Sequence, residues 1–202
     1  MPSRLKVYFA LAVLAIAAGI GLFTLYQGAT REAGTGTGQA LVGGPFTLTD
    51  HNGRQVTDAD FKGKYALIFF GYTYCPDVCP TELQVMTVAL SQMGEKASSI
   101  TPVFVSVDPE RDTPEVLKSY VENFSPNLVG LTGTPEQVAA VAKAYRVYYA
   151  KSGKTETPDY LVDHSSIIYL MDREGRFLKH FTYTTDAAAL ASSLADVMAA
   201  TP

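Results

Sequence analysis

Tyr65-Ala66-Leu67-Ile68-Phe69-Phe70-Gly71-Tyr72-Thr73-Tyr74-Cys75-Pro76-Asp77-Val78-Cys79-Pro80-Thr81-Glu82-Leu83 is the stretch on which the reading of the chain turns. Residues 65–70 are apolar without a break, as in a central strand covered on both faces. A loop carrying two thiols follows. Thr81 through Met93 then reads as a helix that Gly94 ends. A buried strand, a loop that holds the reactive groups and a helix make an α/β unit.

Outward from that unit the pattern continues. Phe46-Thr47-Leu48-Thr49 and Gln55-Val56-Thr57 flank His51-Asn52-Gly53, a hairpin signal. Val103-Phe104-Val105-Ser106-Val107 reads as a second buried strand and Leu128 to Leu131 as a short third. Thr113-Pro114-Glu115 opens a helix to about Asn123, and Thr134-Pro135-Glu136-Gln137 opens another with a capping box. Lys151 to Tyr160 is polar and reads as a surface loop leading to Asp163-His164. Ser166 to Met171 and Phe177 to Phe181 form a hairpin around Arg173-Glu174-Gly175, and Asp186 caps a last helix. This order predicts an α/β sandwich with a mixed sheet.

The 202 residues fit one domain plus an appendage. Arg4 and Lys6 precede an uncharged apolar run, 7–26, long enough to span a bilayer as a helix, with Tyr8 and Tyr26 near its ends. The basic flank places the N-terminus inside and the rest across the membrane. Residues 1–27 are therefore read as a membrane anchor, and 28–40, rich in glycine, as a flexible linker. A cleaved signal peptide is the rival reading, and both leave residues 41–202 as an extracytoplasmic domain. In a bacterial cell that is the periplasmic side of the inner membrane. In a eukaryote it is the intermembrane-space side of the mitochondrial inner membrane. The net charge is -4 with no basic stripe, which argues against a nucleic-acid partner.

Cys75 and Cys79 are the only cysteines. Two sulfurs at that spacing can close a disulfide, carry thiol exchange or hold a thiophilic metal. One helical turn from Pro76 to Pro80 would put both on one face beside a helix N-terminus, where thiolate is stabilised. Both thiols are expected to be partly exposed. A metal would need a further donor. His51 reads as a hairpin-tip residue and His180 as a strand residue among aromatics. His164 sits at a strand start, where functional residues concentrate. Two sulfurs and an imidazole suit copper as Cu(I) or Cu(II), whereas zinc would want a fourth ligand such as Asp77 or Asp163.

Gly71-Tyr72-Thr73-Tyr74-Cys75-Pro76-Asp77-Val78-Cys79-Pro80 resembles the signature of the Sco (SenC) family of copper-site assembly proteins. Val107-Asp108-Pro109-Glu110-Arg111-Asp112-Thr113-Pro114 is similar to a second block of that family, and Asp163-His164-Ser165 to a third. The residue before the first cysteine, often His in the family, is Tyr74 here. The resemblance implies a thioredoxin-like fold and a copper site made by Cys75, Cys79 and His164. It implies a metallochaperone, not an enzyme, serving the CuA site of cytochrome c oxidase subunit II. An upstream copper donor and a thioredoxin-like reductant would be further partners.

A thiol–disulfide reductase of that subunit's cysteines is the alternative, with Cys75 attacking and Cys79 resolving. A redox or copper sensor would need an output domain that the sequence does not display. Asp108 and Arg111 remain secondary site candidates, with Arg111 and Asp112 read as able to shape a partner surface.

Overall fold

The computed structural model describes Tyr8 and residues 42–153 and 160–201. The chain divides into two compact units, Met1–Ala40 and Leu41–Pro202. Apart from Tyr8, the expected anchor and linker lie outside the described residues. Among the described residues no helix is long and apolar enough to cross a membrane.

The centre of the second unit is β3 (Tyr65–Gly71), the apolar run read from the sequence, with every residue buried. It pairs in parallel with β4 (Ile100–Ser106) and antiparallel with β8 (Ile167–Met171). β5 (Val129–Thr132) lies parallel to β4. The expected hairpins extend both edges. β1 (Thr47–Asp50) and β2 (Gln55–Thr57) join beyond β5, and β9 (Phe177–Thr182) beyond β8. The mixed sheet runs β2-β1-β5-β4-β3-β8-β9. Gly53 takes φ +80 at the first turn, a conformation that glycine adopts without penalty.

Strand alternation assigns the faces. Leu67, Phe69 and Gly71 point to one side. There Phe69 stacks on Phe104, and Phe104 meets Tyr120 of α2 (Pro114–Val121). On the same side α1 (Val78–Met93) places the Cys79 sulfur against Gly71 and packs on α4 (Ala187–Ala200). Phe70 points the other way, against Tyr145 at the end of α3 (Pro135–Ala144). Burying each of Phe69, Phe70 and Phe104 contributes about 1.5–3 kcal/mol.

Two elements differ from the sequence reading, and both bear on the site. The helix expected from Thr81 begins at Val78, so Cys79 is its second residue. Pro80 is the third, where a helical N–H has no partner to lose. The expected loop from Lys151 to Tyr160 is in part a second, two-stranded sheet. β6 (Tyr149–Ser152) pairs antiparallel with β7 (Leu161–His164), with Tyr149 opposite His164. Residues 154–159 between them are outside the described residues.

Candidate metal centre

Three local structures deliver the three donor side chains. Cys75 sits in the turn between β3 and α1, its N–H bonded to Tyr72 O at 3.3 Å. Cys79 lies in the first turn of α1 and projects onto the sheet, fully buried. His164 ends β7, and alternation puts it on the same side as buried Val162 and opposite to exposed Asp163. Their ligand atoms all lie within 4.8 Å of one another. Among the described residues no other group of histidine, cysteine and carboxylate side chains is gathered so closely.

The two thiols are not equivalent. Cys75 is half-buried and Cys79 has no exposed surface. The Cys75 sulfur accepts the Cys79 N–H at 3.4 Å, a helix N-terminal donor. Its pKa falls to about 3, chiefly because the Cys79 thiol donates to it. The backbone N–H groups of Cys79 and Asp77 add to this, against the opposing cost of burial. The Cys79 thiol moves the opposite way, above the ordinary range, because it is the donor to Cys75 and is desolvated. Burial and the hydrogen bond between the thiols therefore favour the charge on Cys75 and the proton on Cys79. Both thiols were expected to be partly exposed; only Cys75 is. The glycine at position 71 explains the difference, since its missing side chain leaves the recess that the Cys79 sulfur fills.

His164 Nε2 stands 3.2 Å from Cys79 Sγ, and Nδ1 stands 3.3 Å from the Ser165 carbonyl. A carbonyl only accepts, so Nδ1 carries the proton of the neutral ring and Nε2 faces the sulfurs with its lone pair. Edges of Phe69 and Tyr72 hold the ring at centroid distances of 6.0 and 5.9 Å. Just beyond it, Ser165 N–H donates to Tyr148 O at 2.9 Å and Ser165 Oγ accepts from Tyr148 N at 3.1 Å. Tyr72 is buried, which raises its phenol, and its hydroxyl donates to Cys75.

Asp112, read from the sequence as surface-shaping, is instead fully buried. Its carboxylate accepts from Thr73 N at 3.0 Å, Thr73 Oγ1 at 2.6 Å and Ser106 Oγ at 2.6 Å. Burial pushes this carboxyl up, and those three bonds oppose the shift. Asp112 thus ties the cysteine loop to the end of β4. Asp108 and Arg111 form a nearby ion pair at 2.5 Å, and Tyr160 OH donates to Asp108 at 2.6 Å.

Asp77 and Asp163, the possible fourth ligands, are outside the three-residue cluster. Asp77 is exposed at the helix start, and Asp163 Oδ1 accepts from Ser152 Oγ at 3.1 Å. His51 accepts the Gly130 N–H at 3.0 Å, and His180 stacks on Phe177. Neither Tyr72 nor Tyr160 was among the candidate site residues of the sequence. Their placement, one just before the cysteine turn and one just before His164, was the available signal.

A family model described as SCO1/SenC matches residues 34–199. The chain is 48% identical over 163 residues to the mitochondrial SCO1 homolog of Homo sapiens, covering 80% of this chain and 54% of that one. The chain spans about half the length of the human, Mus musculus and Arabidopsis thaliana SCO1 homologs it matches. The crystal structure of Arabidopsis thaliana ScoI with copper bound is 42% identical and superposes with a TM-score of 0.75, over 79% of this chain and 99% of that one. BsSco, a member of the Sco family of cytochrome c oxidase assembly proteins in which a disulfide switch has been identified, is 26% identical with a TM-score of 0.62, covering 80% and 95%. The mixed-sheet sandwich is thus the thioredoxin-like fold anticipated above. A family match over most of the chain, a relative at nearly half identity and the same backbone around a copper-holding neighbour lead to one assignment: the chain belongs to the SCO1/SenC family.

Proposed function

We propose that this protein binds copper through Cys75 Sγ, Cys79 Sγ and His164 Nε2 and delivers it to the CuA site of cytochrome c oxidase subunit II. The observation that carries this reading is the donor cluster itself: two sulfurs and one imidazole nitrogen within 4.8 Å, with no carboxylate among them. Soft thiolates favour Cu(I), and imidazole serves both oxidation states. Zinc would want a fourth protein donor or an open position for water. Copper is here the cargo, and three ligands leave room for an incoming thiolate before the outgoing ones release. Tyr74, Val78 and Tyr148 are exposed large apolar side chains around the ligands, a surface suited to a docked protein. Residues 1–27 would anchor the chain and 28–40 tether a 41–202 domain on the extracytoplasmic side. There an upstream donor would supply copper and a thioredoxin-like reductant would keep the thiols reduced.

The test is copper stoichiometry and affinity of the reduced full chain under anaerobic conditions, with Cys75→Ser, Cys79→Ser and His164→Ala in turn. The expected result is one copper per chain and weaker binding in every variant. Wild-type affinity in His164→Ala for both oxidation states would remove the three-ligand site.

One observation favours a second reading. Cys75 is accessible and held as thiolate, while Cys79 is buried and protonated. That is the division of labour of a thiol–disulfide reductase. The Cys75 thiolate would attack a partner disulfide, forming a mixed disulfide and expelling one partner thiolate. Cys79 would then lose its proton and attack Cys75 Sγ, closing the 75–79 disulfide and releasing the second partner thiol. A mixed disulfide trapped in Cys79→Ser is the expected product, and none would form if the chain only carries metal.

A further inference from the structure

We propose that Arg111 is a positioning residue of the metal centre, clamping the cysteine loop and the His164 hairpin at one spacing. The proposal rests on the copper-binding reading. The β6–β7 hairpin that carries His164 forms its own two-stranded sheet, with no strand ladder to the seven-stranded one. Its His164 end runs within three residues into β8 and is held there. The other end of β7, at Leu161, lies about 10 Å further along the strand at about 3.3 Å per residue. Val162 holds the middle of the strand, buried and with its N–H donated to the Tyr72 hydroxyl, and a second attachment at the far end fixes the direction of the strand and with it that of the imidazole.

Arg111 supplies the second attachment. Its Nη1 donates to the Tyr160 carbonyl at 2.9 Å, and its guanidinium carbon stands 3.7 Å from the Tyr160 ring centroid. The same guanidinium lies 4.7 Å from the ring of Tyr74, the residue before Cys75, and 5.7 Å from the ring of Tyr72. Asp108 fixes the clamp from behind. One carboxylate oxygen accepts Arg111 Nε at 2.5 Å and the other accepts Tyr160 OH at 2.6 Å. One planar group therefore touches the loop that holds a sulfur and the strand that holds the imidazole. Lys151, 4.4 Å from the Tyr160 ring and bonded to Glu110, adds a second cation at the same ring. Lysine in place of Arg111 keeps the charge but lacks the plane that stacks and the fork that bonds Asp108 and the Tyr160 carbonyl together.

The experiment measures Cu(I) affinity by chelator competition and the sulfur-to-Cu(II) charge-transfer spectrum. The proteins are the reduced full chain and its Arg111→Ala, Arg111→Lys, His164→Ala and Arg111→Ala/His164→Ala variants. Arg111→Ala is expected to weaken Cu(I) binding about 10–100-fold and to shift the charge-transfer band, as loss of an outer support does. Arg111→Lys should restore less than half of that loss on a logarithmic scale, and it stands in if the alanine variant does not fold. In the His164→Ala background the Arg111→Ala change should cost under about twofold, because the residue it positions is gone.

Wild-type affinity and spectrum in both Arg111 variants would overturn the proposal. So would an equal loss with and without His164, which is the signature of a general structural effect. If the wild-type chain binds no copper, or binds it as well without His164, the copper reading itself fails, which separates the two failures.

Discussion

Gly71→Ala tests the wall behind the buried sulfur. Gly71 ends β3 with ordinary extended backbone, so an added methyl brings no backbone strain and its effect is steric. A Cβ at that position would stand 2.7 Å from Cys79 Sγ, 2.9 Å from Phe104 Cε2 and 3.1 Å from Phe69 Cε1. Comfortable separations are about 3.5–4.0 Å, so the sulfur must retreat by roughly 1 Å or the two rings must give way. Both rings are fully buried and pack on each other, so the sulfur yields first. Overpacking of this kind costs about 1–3 kcal/mol in the metal-free protein.

Metal–ligand distances tolerate about 0.2 Å, so loading must drive the sulfur back against the methyl. The strain that the free protein relaxes then reappears, and copper binding should weaken about 5- to 100-fold. Urea unfolding of the metal-free chain and chelator competition for Cu(I) read the two effects separately. Gly53→Ala is the control. Its φ of +80 strains an alanine and costs about 1 kcal/mol, yet nothing lies within 4 Å of the added carbon. It should lower stability and leave copper affinity alone. Reduced stability with unchanged copper affinity in Gly71→Ala would refute the idea that this wall sets the position of Cys79.

Copper affinity should rise about tenfold per pH unit between pH 7 and 8.5, because Cys75 is already thiolate and only the Cys79 proton must leave; a hundredfold slope, or none, in chelator competition at several pH values would contradict the single shared proton. Alkylation of Cys75 should already be at its plateau rate by about pH 5, and in Cys79→Ala, which removes the thiol that donates to it, the half-maximal pH should move up toward the ordinary thiol range; mass spectrometry of the tagged peptide reports both. Glu82 is buried in α1 with one carboxylate oxygen lacking a partner, and desolvation raises its pKa. An acid raised in the folded state stabilises the fold below the unfolded value and loses that contribution as pH climbs through the folded one. Glu82→Met should therefore stabilise the chain at pH 7 by about 1–3 kcal/mol, with the gain shrinking toward pH 4 in urea titrations; a variant less stable than wild type at pH 7 would show that the carboxylate has a partner worth keeping.

The elements that the sequence announced are those whose signals are local. The unbroken apolar run of β3, the Asn-Gly turn after β1 and the Thr-Pro openings of α2 and α3 each fold as their own residues dictate. The β6–β7 hairpin was not legible, because Lys151 and Ser152 look like loop. These residues are strand only because β7 runs opposite them, a pairing that no single segment encodes. The burial of Cys79 was hidden for the same kind of reason. It follows from an absent side chain at Gly71, eight residues away in sequence and across the strand–helix turn. Asp112 looked like surface because a lone aspartate before a helix cap usually is. Its three partners come from β4 and from the cysteine loop, which meet only once the parallel β3–β4 pair has formed. His164 was visible as a candidate by its place before β8, but its approach to the sulfurs depends on the hairpin that was read as loop.

The single proton on Cys79 links the two chemistries proposed for the pair. Thiol exchange begins with Cys75 alone, which is deprotonated and half-exposed while Cys79 keeps its proton. Copper binding needs both sulfurs as thiolates, so it starts only by displacing that proton from a buried site. His164 Nε2, 3.2 Å from Cys79 Sγ, is a base within reach of the proton and also the proposed third ligand. It cannot act as both at once. A copper ion that takes the Nε2 lone pair therefore needs the proton to leave by another route, and half-exposed Cys75 is the neighbour that opens to solvent. On this argument blocking Cys75 would slow loading beyond the loss of one ligand. Metal capture would be gated by the same accessible sulfur that begins exchange.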